Sequence, residues 1–151
     1  MTTFPNLAAQ TAPYLEAQLR AFRDQTRRDP DALSYMWGMA AQLSDATIEA
    51  ISAYYAAQPP SRAKTGDAKL MAHGKQIFEE GISSQGVPAC AACHGPQARG
   101  NDIFPRLAGQ HADYLAKQAL VIQSDLRASP TMHEAVKEVS RDQMRAVATY
   151  L

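Results

Sequence analysis

The chain has 151 residues, 46% hydrophobic and 20% charged, with 15 basic and 15 acidic side chains giving a formal net charge of zero. That is enough chain for one ordinary domain or two small ones. The even charge balance lacks the basic footprint that nucleic acid demands, and every apolar stretch breaks well short of the roughly 18 to 20 residues of a membrane span. The opening residues, Met1-Thr-Thr-Phe-Pro-Asn, have neither the basic start nor the apolar run of a signal peptide.

In chain order, the first feature is an internal repeat. Phe4-Pro5-Asn6-Leu7-Ala8-Ala9-Gln10 recurs as Phe104-Pro105-Arg106-Leu107-Ala108-Gly109-Gln110 at an offset of 100, which continues through Tyr14/Tyr114, Leu15/Leu115 and Gln18/Gln118 to Phe22/Ile122. After a shorter loop in the second copy the offset becomes 96, matching Met36 with Met132, Leu43 with Val139, Ser44 with Ser140, Ile48 with Met144 and Tyr54 with Tyr150. Tyr14, Leu15, Gln18, Leu19 and Phe22 have helical spacing, as do Tyr114, Leu115, Gln118 and Ile122. Ser44 and Ser140 are expected to cap a last helix in each copy, with Ile48, Ile51 and Tyr55, or Met144, Val147 and Leu151, on the inner face. Pro59 and Pro60 stop the first copy, and residues 59–66 read as a linker. Asp67 then precedes a helix to about Glu80 that sets Gly74 and Phe78 on one face. No segment shows strand-like alternation, so an all-α chain is expected, with residues 1–58 and 67–151 as its two units.

The chemistry lies in Cys90-Ala91-Ala92-Cys93-His94, which contains the only two cysteines. A disulfide across so small a loop would stabilise little, so a chemical role is the better reading. Two cysteines separated by two residues and followed at once by histidine match the attachment signature of c-type haem. Each thiol then reaches one vinyl group and His94 becomes the proximal iron ligand. A thiol redox pair or half of a zinc site shares the Cys-x-x-Cys spacing. Zinc would need two further ligands, and His73, His111 and His133 form no second tight pair.

Ala89 to Gly100, the Phe104 to Gln110 segment, and Tyr114, Leu115 and Gln118 together resemble the class I cytochromes c, in particular the tandem-domain cytochrome c4 family. The resemblance implies a domain in which an N-terminal helix bearing Gly74 and Phe78 crosses a C-terminal helix bearing Tyr150. It implies that the Pro105 carbonyl accepts a hydrogen bond from the His94 Nδ1, fixing the ring and raising its basicity. It also places a methionine iron ligand before the last helix, and Met132 stands there, with His133 as an adjacent competitor. Met71 and Met144 read as core. Tyr114 reads as helix-face packing, and His73, His111, Arg99, Arg106 and Arg127 as surface residues, although an arginine also suits a haem propionate.

The first unit departs from the family pattern: its equivalent of the Cys-x-x-Cys-His motif would fall before Met1. Two explanations stay open for this partial, haem-less repeat: a sequence cut from a longer two-haem protein, or a natural haem-less remnant in which Met36 is an ordinary apolar residue; either way the first unit lacks the motif. Its apolar faces are expected to be buried against the second unit or a second copy of the chain, with segment exchange as one route.

One covalent haem c per chain with His94/Met132 ligation makes the expected function electron transfer, not catalysis. The expected partners are a donor dehydrogenase or quinol-oxidising complex and an acceptor oxidase or reductase. Covalent attachment implies export, hence a periplasmic location and a targeting segment removed from the sequence. Two rival readings stay open: a peroxidase-like enzyme with an open iron site, and a haem-bearing sensor or subunit of a larger redox complex.

Overall fold

The computed structural model describes residues 4–62 and 66–151; residues 63–65 of the expected linker, and residues 1–3, lie outside them. Helix α1 (Ala12–Arg23) begins with Pro13 in its first turn, where an amide hydrogen is not needed, and ends with Arg20 and Arg23 at the negative end of its dipole. A π-turn over Ala32–Met36 runs into the short helix α2 (Trp37–Ala40). Ser44 caps α3 (Asp45–Ala56) by accepting from the Thr47 amide at 3.2 Å, and Asp67 caps α4 (Ala68–Glu80) by accepting from the Leu70 amide at 2.9 Å. A single turn, α5 (Ala91–His94), is followed by α6 (Ala112–Gln123), α7 (Pro130–Val136) and α8 (Arg141–Tyr150). Ser140 and Gln143 form a reciprocal capping box at the start of α8. Among the described residues the extended contacts are two isolated bridges, Ile82 with Val87 and Asn101 with Phe104. The fold is helical, as expected.

The dominant packing is α4 across α8. Gly74 makes it possible: a Cβ there would lie 2.0 Å from the Ala146 carbonyl oxygen, so only glycine lets the two backbones approach this closely. Phe78 is fully buried at the crossing, with its ring 5.7 Å from that of Tyr150. The repeat reappears in the packing, since α1 lies on α3 as α6 lies on α8. Ala9 donates its amide to the Tyr55 carbonyl at 2.9 Å and Gly109 does the same to Leu151 at 2.9 Å, tying the start of each copy to its last helix.

The two copies meet across a pseudo-two-fold seam. The backbone of Asn6 donates to Gln110 Oε1 (2.8 Å) and accepts from Gln110 Nε2 (2.9 Å). Its counterpart Arg106 donates to Gln10 Oε1 (2.6 Å) and accepts from Gln10 Nε2 (3.0 Å). Further along, Arg27 and Arg127 both donate to Gln18 Oε1 (2.9 and 2.8 Å) and both to Gln118 Oε1 (3.0 and 2.6 Å). Lys117 of α6 pairs with Asp31 of the first copy. The copies thus meet largely through polar groups, whereas the expectation is that the first unit's apolar faces are covered. Phe4, Leu33, Tyr35, Met39 and Tyr54 remain exposed.

Candidate haem-attachment site

The attachment segment is one helical turn followed by a tight return loop. The amides of Cys93 and His94 both bond the Cys90 carbonyl, at 3.3 and 3.0 Å, and Gly95 ends the turn at φ +80°. Gly100, at φ +77°, would drive a Cβ to 2.5 Å from the Arg106 nitrogen and 2.6 Å from the Phe104 oxygen. A side chain there would push the returning strand away. The loop is instead closed by Gly100 N to His94 O (2.9 Å), the Asn101 to Phe104 bridge, and the amides of Leu107 and Ala108 on the Ala98 carbonyl (2.8 and 3.0 Å).

This closure brings the Pro105 carbonyl to 2.9 Å from His94 Nδ1. A carbonyl only accepts, so the proton is on Nδ1, and Nε2 has no hydrogen-bond partner among the described residues. His94 is 6% exposed, with the Phe104 ring edge-on at 6.4 Å. Burial holds the His94 pKa below its ordinary value, against the opposing pull of the Pro105 hydrogen bond, so the imidazole is neutral, the form that binds a metal. No disulfide joins the two cysteines: Cys93 is exposed, while Cys90 is half-buried against Phe78, Ala98 and Leu151. Burial pushes the Cys90 thiol up, keeping it protonated.

These residues fit a covalent haem. Two thiols flank one helical turn, and a buried, neutral imidazole held by the Pro105 carbonyl presents its other nitrogen. Among the described residues no group of three or more His, Cys, Asp and Glu side chains is arranged to hold a metal ion.

The structure thus brings together Cys90, Cys93, His94 and Pro105. Met132 stands in the first turn of α7, packed on the cluster of Val87, Ile122, Val136, Val139 and Met144. Met36 holds the matching place in the first copy, on Phe22, Ala32 and Ala40. His133, the competitor, directs its Nδ1 to the Ile122 carbonyl (3.0 Å) and toward Asp125 (3.2 Å). Arg127 corrects the expectation of a surface residue: it is buried, and donates to Tyr14, Gln18 and Gln118 because its place in the repeat puts it on the seam. Sequence reading also missed Arg27, Gln10 and Gln110. The available signal was the offset of 100, which extends beyond Ile122 to pair Arg27 with Arg127.

A helical scaffold carrying this turn and this buried, carbonyl-anchored imidazole defines a c-type haem protein. The family model described as cytochrome c matches residues 71–151, and the chain belongs to that family, whose cofactor is covalently bound haem c. Cytochrome c-552 of Acidithiobacillus ferridurans is 38% identical over 148 residues, covering 97% of this chain and 64% of its own length. Cytochrome c4 of Stutzerimonas stutzeri is 35% identical, with 98% of this chain and 75% of that protein covered. The solved structure of Acidithiobacillus ferrooxidans cytochrome c4 superposes with a TM-score of 0.94 at 38% identity, covering 97% of this chain and 86% of that one. The chain therefore spans about two thirds of the length of the first of these relatives. The last of these is described in terms of its electron transfer, and no helix among the described residues is long and apolar enough to cross a membrane.

Proposed function

We propose that the protein is a periplasmic single-electron carrier with one haem. Cys90 and Cys93 hold the macrocycle through thioethers, His94 is the proximal ligand oriented by Pro105, and Met132 is the sixth ligand. Residues 67–151 form the haem-bearing unit, residues 1–58 a repeat without the attachment motif, and residues 59–66 the linker. The bound haem supplies the reversible one-electron couple; the chain's own residues orient the ring, set its ligands and exclude water. Electrons arrive from a donor dehydrogenase or quinol-oxidising complex and leave to an oxidase or reductase. The periplasmic assignment rests on covalent attachment through a Cys-x-x-Cys-His motif.

The observation that carries this reading is the buried, neutral His94 whose Nδ1 is committed to Pro105 at 2.9 Å. Such an anchor fixes the tautomer and raises ligand basicity. Met132→Ala is the test. The holoprotein is expected to show a methionine-to-iron charge-transfer band when oxidised and to resist carbon monoxide when reduced. The variant should lose the band, bind carbon monoxide readily and have a lower reduction potential, since a thioether ligand raises it. A high-spin spectrum in the unaltered protein would favour an open-site enzyme, and an unchanged spectrum in Met132→Ala would move the sixth ligand to His133 or another side chain.

A further inference from the structure

Two side chains, Gln123 and His133, tie the segment that carries Met132 to the end of α6. Gln123, the last residue of α6, directs Nε2 to three carbonyls at the far end of that segment, those of Val136, Lys137 and Val139, each at 3.0 Å. An amide nitrogen has two hydrogens, so three acceptors share them and the turn between α7 and α8 closes around it. Near Met132 itself, the amide of His133 bonds the Ser129 carbonyl at 2.8 Å and its Nδ1 donates to Ile122 at 3.0 Å. Residues 130–139 therefore hang from the C-terminal end of α6. The Val136 carbonyl also accepts from the Val139 amide at 3.0 Å, so if Gln123 withdrew, it is the Lys137 and Val139 carbonyls that would lose their side-chain donor.

The first copy repeats the arrangement with different chemistry. Arg23, 100 positions before Gln123, donates from a guanidinium nitrogen to the carbonyl of Leu43 at 3.2 Å, and Leu43 stands 96 positions before Val139. The recurring feature is a side-chain donor to that carbonyl, whichever side chain supplies it.

We infer that Gln123 is a positioning residue for the sixth iron ligand: by donating to the Val136–Val139 carbonyls it keeps residues 130–139 closed on α6 and so holds Met132 in place. The inference rests on the proposed ligation by Met132, and Gln123 acts only through the backbone it anchors. A neutral thioether is a weak ligand, so the closed segment must supply part of its persistence. Losing Gln123's net hydrogen bonding should shift the balance toward the open segment by about tenfold.

The test uses holoprotein carrying Gln123→Ala, Gln123→Glu, Gln123→Arg or Met132→Ala. It reads the charge-transfer band and the rate of carbon monoxide binding to the reduced form. The alanine and glutamate variants are expected to bind carbon monoxide about tenfold faster with a weakened band, because neither donates to a carbonyl. The arginine variant, supplying donors as Arg23 does, is expected to stay within about twofold of the unaltered protein. If the alanine variant does not accumulate as holoprotein, the glutamate variant, which keeps the native size, carries the comparison. Wild-type behaviour of the alanine and glutamate variants, alongside loss of the band in Met132→Ala, would overturn the positioning role alone. An arginine variant as impaired as the alanine one would overturn it too, since shape and not donation would then matter. A band that survives Met132→Ala rejects the ligand assignment itself and this inference with it.

Discussion

Replacing Gly74 by alanine is expected to lower the stability of the fold by about 3 kcal/mol, the upper end of what overpacking a core costs. The added methyl would meet the Ala146 oxygen at 2.0 Å, its carbonyl carbon at 2.4 Å and the Val147 nitrogen at 2.9 Å. All three are backbone atoms of α8, so no flexible side chain can yield and the helices must part. Parting them disrupts the packing of Phe78 against Tyr150, Leu151 and Ala98, the same cluster that holds Cys90. Intrinsic helix propensity alone would favour alanine over glycine by about 1 kcal/mol. Gly38, in α2 with nothing within 4 Å of a Cβ, isolates that effect: Gly38→Ala should be neutral or stabilising. Denaturant unfolding should show a loss of stability for Gly74→Ala and no loss for Gly38→Ala, and equal shifts would remove the close-approach argument.

Arg27→Met is expected to destabilise the chain by about 3 to 5 kcal/mol, the cost of leaving one partner of a buried ion pair alone. Asp29 is 0% exposed and its Oδ2 lies 2.7 Å from Arg27 Nε. The same arginine bonds Gln118 across the seam and lies 4.7 Å over the Phe22 ring, so methionine keeps some of the packing and removes the charge. Combining it with Asp29→Asn should recover a substantial part of the loss, because the uncompensated charge is gone. Denaturant titration of the single and double variants checks this. A loss within about 0.5 kcal/mol, typical of a surface substitution, would mean that the buried pair contributes little to the stability of the fold.

Much of this architecture is legible in the residues because local chemistry and global packing agree. Asp67, Ser44 and Ser140 cap helices where their side chains can reach an amide three residues on, and the apolar spacing after them gives the buried face. Gly74 and Phe78 are informative through their spacing of four, and the Cys90 to His94 turn through a chemistry that few other spacings serve. The seam was harder to read. Glutamine and arginine ordinarily solvate a surface, and nothing local distinguishes Arg127, buried on the pseudo-two-fold axis, from exposed Arg99. What separates them is a relation between distant positions: Arg127 has a counterpart at Arg27 and each meets both Gln18 and Gln118. The anchoring role of Gln123 was equally hidden, because its acceptors are backbone carbonyls, which have no sequence signature.

The central claim is that Cys90 and Cys93 attach one haem covalently. It is tested most directly by producing the chain with a cytochrome c maturation system, denaturing it, extracting with acidified organic solvent and weighing the polypeptide. The account predicts one haem retained on each chain and none on the Cys90→Ala, Cys93→Ala double variant. Haem that extracts freely from the unaltered chain, or that stays on the double variant, would contradict it.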